Sequence, residues 1–398
     1  MKNIYIIILG LFFLKSQSQV NISIKEQLTS DLLAISEQKN IVGFSVAIVN
    51  QNKILYSKGF GFSDKLNQKA YTENTIQNIA SISKTFIGVS LLKAQELGKL
   101  KLDDDINKYL PFEVINPNFP NTPITIRHLA THTSSIIDSY RYTQNGYVLK
   151  ELENEGKRIN ANFRSPDEMM GYDEFLKQIL NRNGKWYKKK NFLKKKPGTF
   201  FNYSNLGAGL AALVLENAVG IPFNLFTKEY IFEPLKMSSS GWFSNEVNYD
   251  NHSKLYANTT KELAFYNLIN YPDGGLVTSS TDLGAYLIEL IAGYNEYGRI
   301  LKKNSYKELF TPRLNDVIHT NRNTSTYNDE YNIGVFMGMS SQGQIGHTGG
   351  DPGVTTLMFF NSKTKIGKIV LINTELDKKG IIELNAIWEK LEEYENKF

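Results

Sequence analysis

Apolar positions recur at two different periods along this chain, and the places where the period changes outline the fold. Residues 24–38 carry helical spacing. Residues 43–49 and 53–57 then read as two strands, joined as a hairpin by Asn50-Gln51-Asn52. Gly59-Phe60-Gly61-Phe62-Ser63-Asp64 is a glycine-rich stretch that leaves the sheet. From Ser81 the helical period returns: Phe86, Val89, Leu92 and Leu97 fall on it, and Gly98 is placed as a C-cap. Leu102-Asp103-Asp104-Asp105-Ile106 opens the next helix, with carboxylates near its positive end. Helix and loop continue to about residue 300, with residues 282–292 the clearest helix there. Strand patterns come back at 331–338, 354–360 and 366–373, and residues 361–365 form the turn between the last two. Ile381, Leu384, Trp388 and Leu391 mark an amphipathic closing helix. Strands at both ends with helices between predict an α+β chain, its sheet built from residues 19–78 and 325–398 and a helical lobe inserted at 79–324.

The first residues do not fit that globular pattern. Lys2 precedes an apolar run from Ile4 to Leu14, and Ser16-Gln17-Ser18 supplies small residues at the positions a signal peptidase reads. The run is too short to span a bilayer comfortably, so residues 1–18 read as a secretory signal cleaved near Ser18-Gln19, with an uncleaved membrane anchor as the alternative. The expected location is therefore exported, periplasmic or extracellular. The chain has no cysteine, so stability must come from its core. The formal charge of +5 becomes +3 once Lys2 and Lys15 leave, too little to argue for nucleic acid as a partner. No later segment is apolar enough for a stable membrane span. Seven lysines crowd residues 185–196 among Trp186, Tyr187 and Phe192. A solvated loop is the plain reading; the sharper one is a basic rim that draws anionic substrates or cell-wall polymer toward a site.

Three short motifs carry candidate chemistry. Ser81-Ile82-Ser83-Lys84 stands at a helix start, where a three-residue spacing puts both side chains on one face. A lysine whose pKa is lowered can take the proton of a serine nucleophile. Tyr203-Ser204-Asn205 can place a phenol and an amide on one side of a cleft. Beside a lysine ammonium the phenol should ionise more easily, fitting Tyr203 as a general acid/base. Asn205 is then placed to bind a substrate amide and Lys84. His347-Thr348-Gly349-Gly350 precedes a strand, and its small residues let a substrate backbone lie along a strand edge. The N–H groups of Ser81 and Gly350 are the candidate oxyanion hole. Other motifs fall away. His128 and His132 have the spacing of a helical zinc pair, but Leu129 stands where the catalytic Glu belongs. There is no G-x-S-x-G elbow and no phosphate-binding loop, and no cofactor is expected.

Taken together, the three motifs resemble those of the serine β-lactamase and penicillin-binding-protein superfamily, in its class C-like branch of β-lactamases, D-alanyl-D-alanine peptidases and carboxylesterases. Residues 124–135 and 274–283 are similar to that family too, and the likeness covers the chain from about Ile24 to about Trp388. The resemblance implies an antiparallel sheet with flanking helices beside an all-helical lobe, with the active site between them. It implies Ser81 as acylated nucleophile, Lys84 as the lysine that tunes the base and Tyr203 as general acid/base. Asn205, His347, Thr348, Gly349 and Gly350 match the substrate-binding positions. His347 departs from the lysine usual in β-lactamases, and Gly350 from the usual hydroxyl residue, which weakens a site for a drug carboxylate. The reading is an exported serine hydrolase working through an acyl-enzyme on amide or ester bonds. D-amino-acid-containing peptides, cell-wall peptide included, or small esters are the expected substrates. A true β-lactamase and a non-catalytic penicillin- or wall-binding protein are the alternatives.

Overall fold

The computed structural model describes residues 23–150, 154, 156–322 and 329–398. The signal expected at 1–18 lies outside them. The first helix, α1 (Ile24–Ser36), starts where Ser23 accepts from the N–H of Glu26 and Glu26 returns a bond to the N–H of Ser23. Strands β1 (Gly43–Val49), β2 (Ile54–Asp64) and β3 (Lys69–Ala70) follow. The chain closes through β4 (Asn332–Ile333), β5 (Gly338–Met339), β6 (Gln344–Asp351), β7 (Val354–Asn361) and β8 (Gly367–Ile372). These make one eight-stranded sheet in the order β4-β5-β6-β7-β8-β1-β2-β3, antiparallel throughout. The α+β class and the antiparallel sheet agree with the sequence reading.

Both faces of the sheet are covered, so β1 and β8 are buried from end to end. Phe44, Val46 and Ile48 of β1 face α1 and the last helix, α5 (Lys378–Glu395), where Leu28, Leu32, Ile387 and Leu391 meet them. Full burial of each such side chain contributes about 1.5–3 kcal/mol. Ala47 and Val49 point to the opposite face and join the larger core. That core holds three long helices: α2 (Ser83–Glu96), α3 (Asn205–Val219) and α4 (Ser280–Tyr294).

Four local expectations differ from the structure. The glycine-rich residues 59–64 stay in the sheet as the second half of β2, because a side chain at Gly59 would strike the Tyr71 carbonyl, 2.2 Å from an ideal Cβ. Residues 102–106 do not open a long helix. Asp105 caps a single 3-10 turn, Ile106–Lys108, while Asp104 turns to the N–H of Lys101 and the phenol of Tyr109. The strand expected over 331–338 breaks into β4 and β5, because Phe336 takes a left-handed φ of 52° between them. Last, His347-Thr348-Gly349-Gly350 not only precedes the strand at 354–361 but itself forms the body of β6. The inserted region also carries a small sheet of Tyr147–Leu149, Phe163–Arg164 and Tyr266–Leu268, so it is not wholly helical.

Candidate active site

Ser81 sits in a 3-10 turn, Ala80–Ile82, that leads into α2. Ala80 before it has φ +48°, a left-handed conformation that a residue with a Cβ adopts only at a cost of about 1–2 kcal/mol. Packing holds this turn in place. Thr356 of β7 donates its hydroxyl to the Ile79 carbonyl at 2.8 Å. A Cβ on Gly349 would lie 2.4 Å from that carbonyl and 2.2 Å from Thr356 Oγ1. Gly349 therefore lets β6 approach the nucleophile's turn closely.

Lys84 is one helical step further on and has no exposed surface. Its Nζ donates to Ser81 Oγ at 2.9 Å and to the Asp273 carbonyl at 2.6 Å. Burial pushes the Lys84 amine down from its ordinary range, against the pull of the carboxylates of Asp273, Asp351 and Asp138. Those carboxyls are themselves tied: Asp273 accepts from Tyr142 Oη at 2.8 Å, and Asp351 from Tyr147 Oη at 2.6 Å. Burial raises Asp273, and it raises Asp351 to about 6. Lys84, Asp273 and Asp351 are all shifted toward their neutral forms.

Tyr203 lines the same cavity as Ser81, and Lys84 Nζ is 5.2 Å from its ring centre. The Tyr203 phenol runs against the sequence expectation. Burial drives it well above its ordinary value, the nearby Ser81 hydroxyl offsets only part of that, and Asp329, Asp273 and Asp138 add to the rise. At rest Tyr203 is a protonated donor. His132 packs on its ring, 4.4 Å between centres, and accepts the Ser204 N–H at Nδ1. Burial, then Lys84 and His347, hold His132 well below the usual imidazole range.

Asn205 does not bond Lys84, whose second acceptor is the Asp273 carbonyl. Its amide nitrogen donates to Asp138 Oδ2 at 2.8 Å, which leaves the amide oxygen as its acceptor. Asp138 also accepts the N–H groups of Asn205 and Leu206, both at 2.9 Å, and the Ser204 hydroxyl at 3.1 Å. It thus satisfies the start of α3 and aims Tyr203-Ser204-Asn205 at once. No motif marks Asp138, and it was not singled out from the sequence.

Ser81, Tyr203, His347, Thr348 and Gly350 line one cavity of about 230 Å³. Gly350 faces open space, with nothing within 4 Å of an ideal Cβ. Burial holds His347 below the usual imidazole range despite the nearby Asp329, so it is neutral at physiological pH. Asp329 and Glu330, also absent from the sequence reading, line the same cavity. The seven lysines of 185–196 are all exposed. Their backbone is tied to the wall that leads to Asp138, through Leu193 N–H to the Ser135 carbonyl and Ile137 N–H to the Asn191 carbonyl.

Comparison with known proteins agrees with this geometry. The sequence profile of the family described as Beta-lactamase matches residues 26–391. The chain is 26% identical to Protein flp of Staphylococcus aureus strain MRSA252 over 383 residues, 93% of this chain but only 66% of that protein's length. It is also 26% identical to Penicillin-binding protein 4* of Bacillus subtilis, covering 85% of this chain and 70% of that one. Among solved structures, the Beta-lactamase/D-alanine Carboxypeptidase of Yersinia pestis aligns with TM-score 0.67 at 19% identity, over 92% of this chain and 98% of that one. The D-amino acid amidase of Ochrobactrum anthropi SV3 aligns with TM-score 0.64 at 18% identity, over 92% and 99% of the two chains.

Proposed function

The chain belongs to the beta-lactamase family of serine hydrolases, and from that premise we propose that it cleaves amide or ester bonds through an acyl-enzyme on Ser81. The observation that carries the reading is the fully buried Lys84 amine 2.9 Å from Ser81 Oγ, with Tyr203 lining the same cavity as that serine. Burial favours the free amine, so Lys84 takes the proton as Ser81 Oγ bonds to the carbonyl carbon. The Ser81 and Gly350 N–H groups receive the developing oxyanion. Tyr203, protonated at rest, gives its proton to the leaving nitrogen or oxygen as that bond breaks, and regains one from Lys84. Water then attacks the ester, and the same groups return the proton to Ser81.

The substrates we propose are D-amino-acid-containing peptides or small esters. They suit an acyl-enzyme site, and the similar proteins include a D-alanine carboxypeptidase and a D-amino acid amidase. A neutral His347 disfavours an efficient β-lactamase. An exported location is proposed from Lys2 and the apolar run behind it. The test is intact mass after brief exposure to a fluorophosphonate, with Ser81→Ala alongside. One adduct on the wild type and none on the folded variant is expected. A folded wild type that takes no adduct would return the protein to the binding-module reading.

A further inference from the structure

The cavity beside Ser81 is acidic, and the Thr348 donors at its edge are already occupied. Thr348 offers a backbone N–H and a hydroxyl at the edge of β6, and both end on Asp329 Oδ2, at 2.8 and 3.1 Å. The same oxygen lies 3.8 Å from His347 Nδ1, which itself bonds the Thr348 carbonyl. Glu330 stands next to Asp329 in the lining. Among the described residues that line the cavity, none is Lys or Arg. Lys84 is committed to Ser81 and to the Asp273 carbonyl.

We infer that Asp329 and Glu330 make this cavity a filter on the leaving group, excluding substrates that leave with a carboxylate and admitting those that leave as a neutral or protonated amine or a neutral alcohol. The inference rests on the acyl-enzyme reading. If Tyr203 protonates the leaving atom, the group behind that atom extends into the cavity Tyr203 shares with Asp329 and Glu330. An anionic group there meets the like charges of Asp329 and Glu330, and no Lys or Arg stands among the described residues of the lining to attract it. It cannot take the Thr348 donors without displacing Asp329, and such like-charge juxtaposition is a means of rejecting a wrong partner. Within the substrates proposed above, the choice narrows to amides and esters lacking a free carboxylate near the scissile bond. A peptide ending in a free D-alanine is then a poor substrate, and its amide or ester a better one.

A matched pair of aryl esters tests this on the whole protein: the acetate esters of 3-hydroxybenzamide and 3-hydroxybenzoate, each corrected for spontaneous hydrolysis. The carboxamide ester should be favoured in kcat/KM by about tenfold or more. Asp329→Asn and Glu330→Gln should each shrink that ratio by speeding the carboxylate ester. Phenyl acetate, which has no charge to sense, reports any general damage, because a merely structural role would slow all three esters together. A wild type that takes both charged and uncharged esters equally would overturn the proposal, as would a ratio left unmoved in both variants. Fluorophosphonate labelling of Ser81 separates the two failures: loss of labelling sinks the acyl-enzyme reading, whereas full labelling with an unmoved ratio sinks only the filter.

Discussion

Replacing Asp138 by Ala removes one carboxylate and four hydrogen bonds, two of them to backbone N–H groups at the start of α3 (Asn205–Val219). A hydrogen bond to a charged group contributes about 1.5–3 kcal/mol, but four bonds on one carboxylate are not additive. Ser204 still caps the Gly207 N–H at 3.0 Å, so the helix keeps part of its support. The net loss should be about 3 kcal/mol, or a melting point lower by about 4 °C for a chain of this size. Activity should fall further than stability suggests. The freed Asn205 amide and the adjoining Tyr203 lose their aim, and a displacement of about 1 Å at a catalytic group costs roughly a hundredfold. Asp138→Asn keeps one acceptor oxygen and should show roughly half the melting loss. Thermal unfolding and the fluorophosphonate labelling rate of Ser81 measure both effects. A variant that melts within about 1 °C of the wild type and labels at the same rate would refute the role given to Asp138.

Three further outcomes follow from the geometry. Gly349→Ala forces a Cβ to within 2.2 Å of Thr356 Oγ1 and 2.4 Å of the Ile79 carbonyl, so it should destabilise by several kcal/mol, whereas Gly350→Ala meets nothing within 4 Å and should melt like the wild type. The rate should climb with pH as Lys84 loses its proton, reaching its plateau below the ordinary lysine value of 10.5. Asp351→Asn removes a charge that holds Lys84 up, so the rising limb should move toward acid. The same variant tests stability. Folding raises the Asp351 carboxyl from 3.8 to about 6, so its stabilising contribution is complete below about pH 4 and is lost as pH rises through about 6. That contribution is about 3 kcal/mol, and denaturant melts at pH 4 and pH 7 should show the wild type losing it relative to the Asn variant.

What the sequence made legible was what local pattern controls. The helix of Ile24–Ser36 carries its own capping box, and the terminal strands carry their own alternation. Ser81 and Lys84 are brought together by helical spacing alone. Residues acting across the fold left no such trace. Asp138 is a lone acid in a loop, 67 residues from the amide it holds. Asp329 reaches Thr348 from a separate turn. The sign of the Tyr203 shift was missed because it depends on burial, which spacing does not encode, and because the lysine beside it is itself pushed toward neutrality. Residues 347–350 read as lying ahead of a strand, yet they form one themselves, and Gly349 is needed there because its close approach to Ile79 and Ala80 leaves no room for a side chain.

The central strands β1 (Gly43–Val49) and β8 (Gly367–Ile372) are neighbours, with Val49 set against Gly367. The two halves of the sheet therefore meet only across some three hundred residues of intervening chain. A ribosome adding about 5–20 residues per second finishes β1 and β2 roughly 15–60 s before β8 exists. For that interval the hairpin shows a long, apolar, unpaired edge, which is prone to wrong pairing. Non-local pairing of this kind also sets a slow final step, since the loop must close before any contact rewards it. Refolding should accordingly be limited by sheet closure rather than by helix formation, and a holdase that shields the edge of β1 should raise its yield.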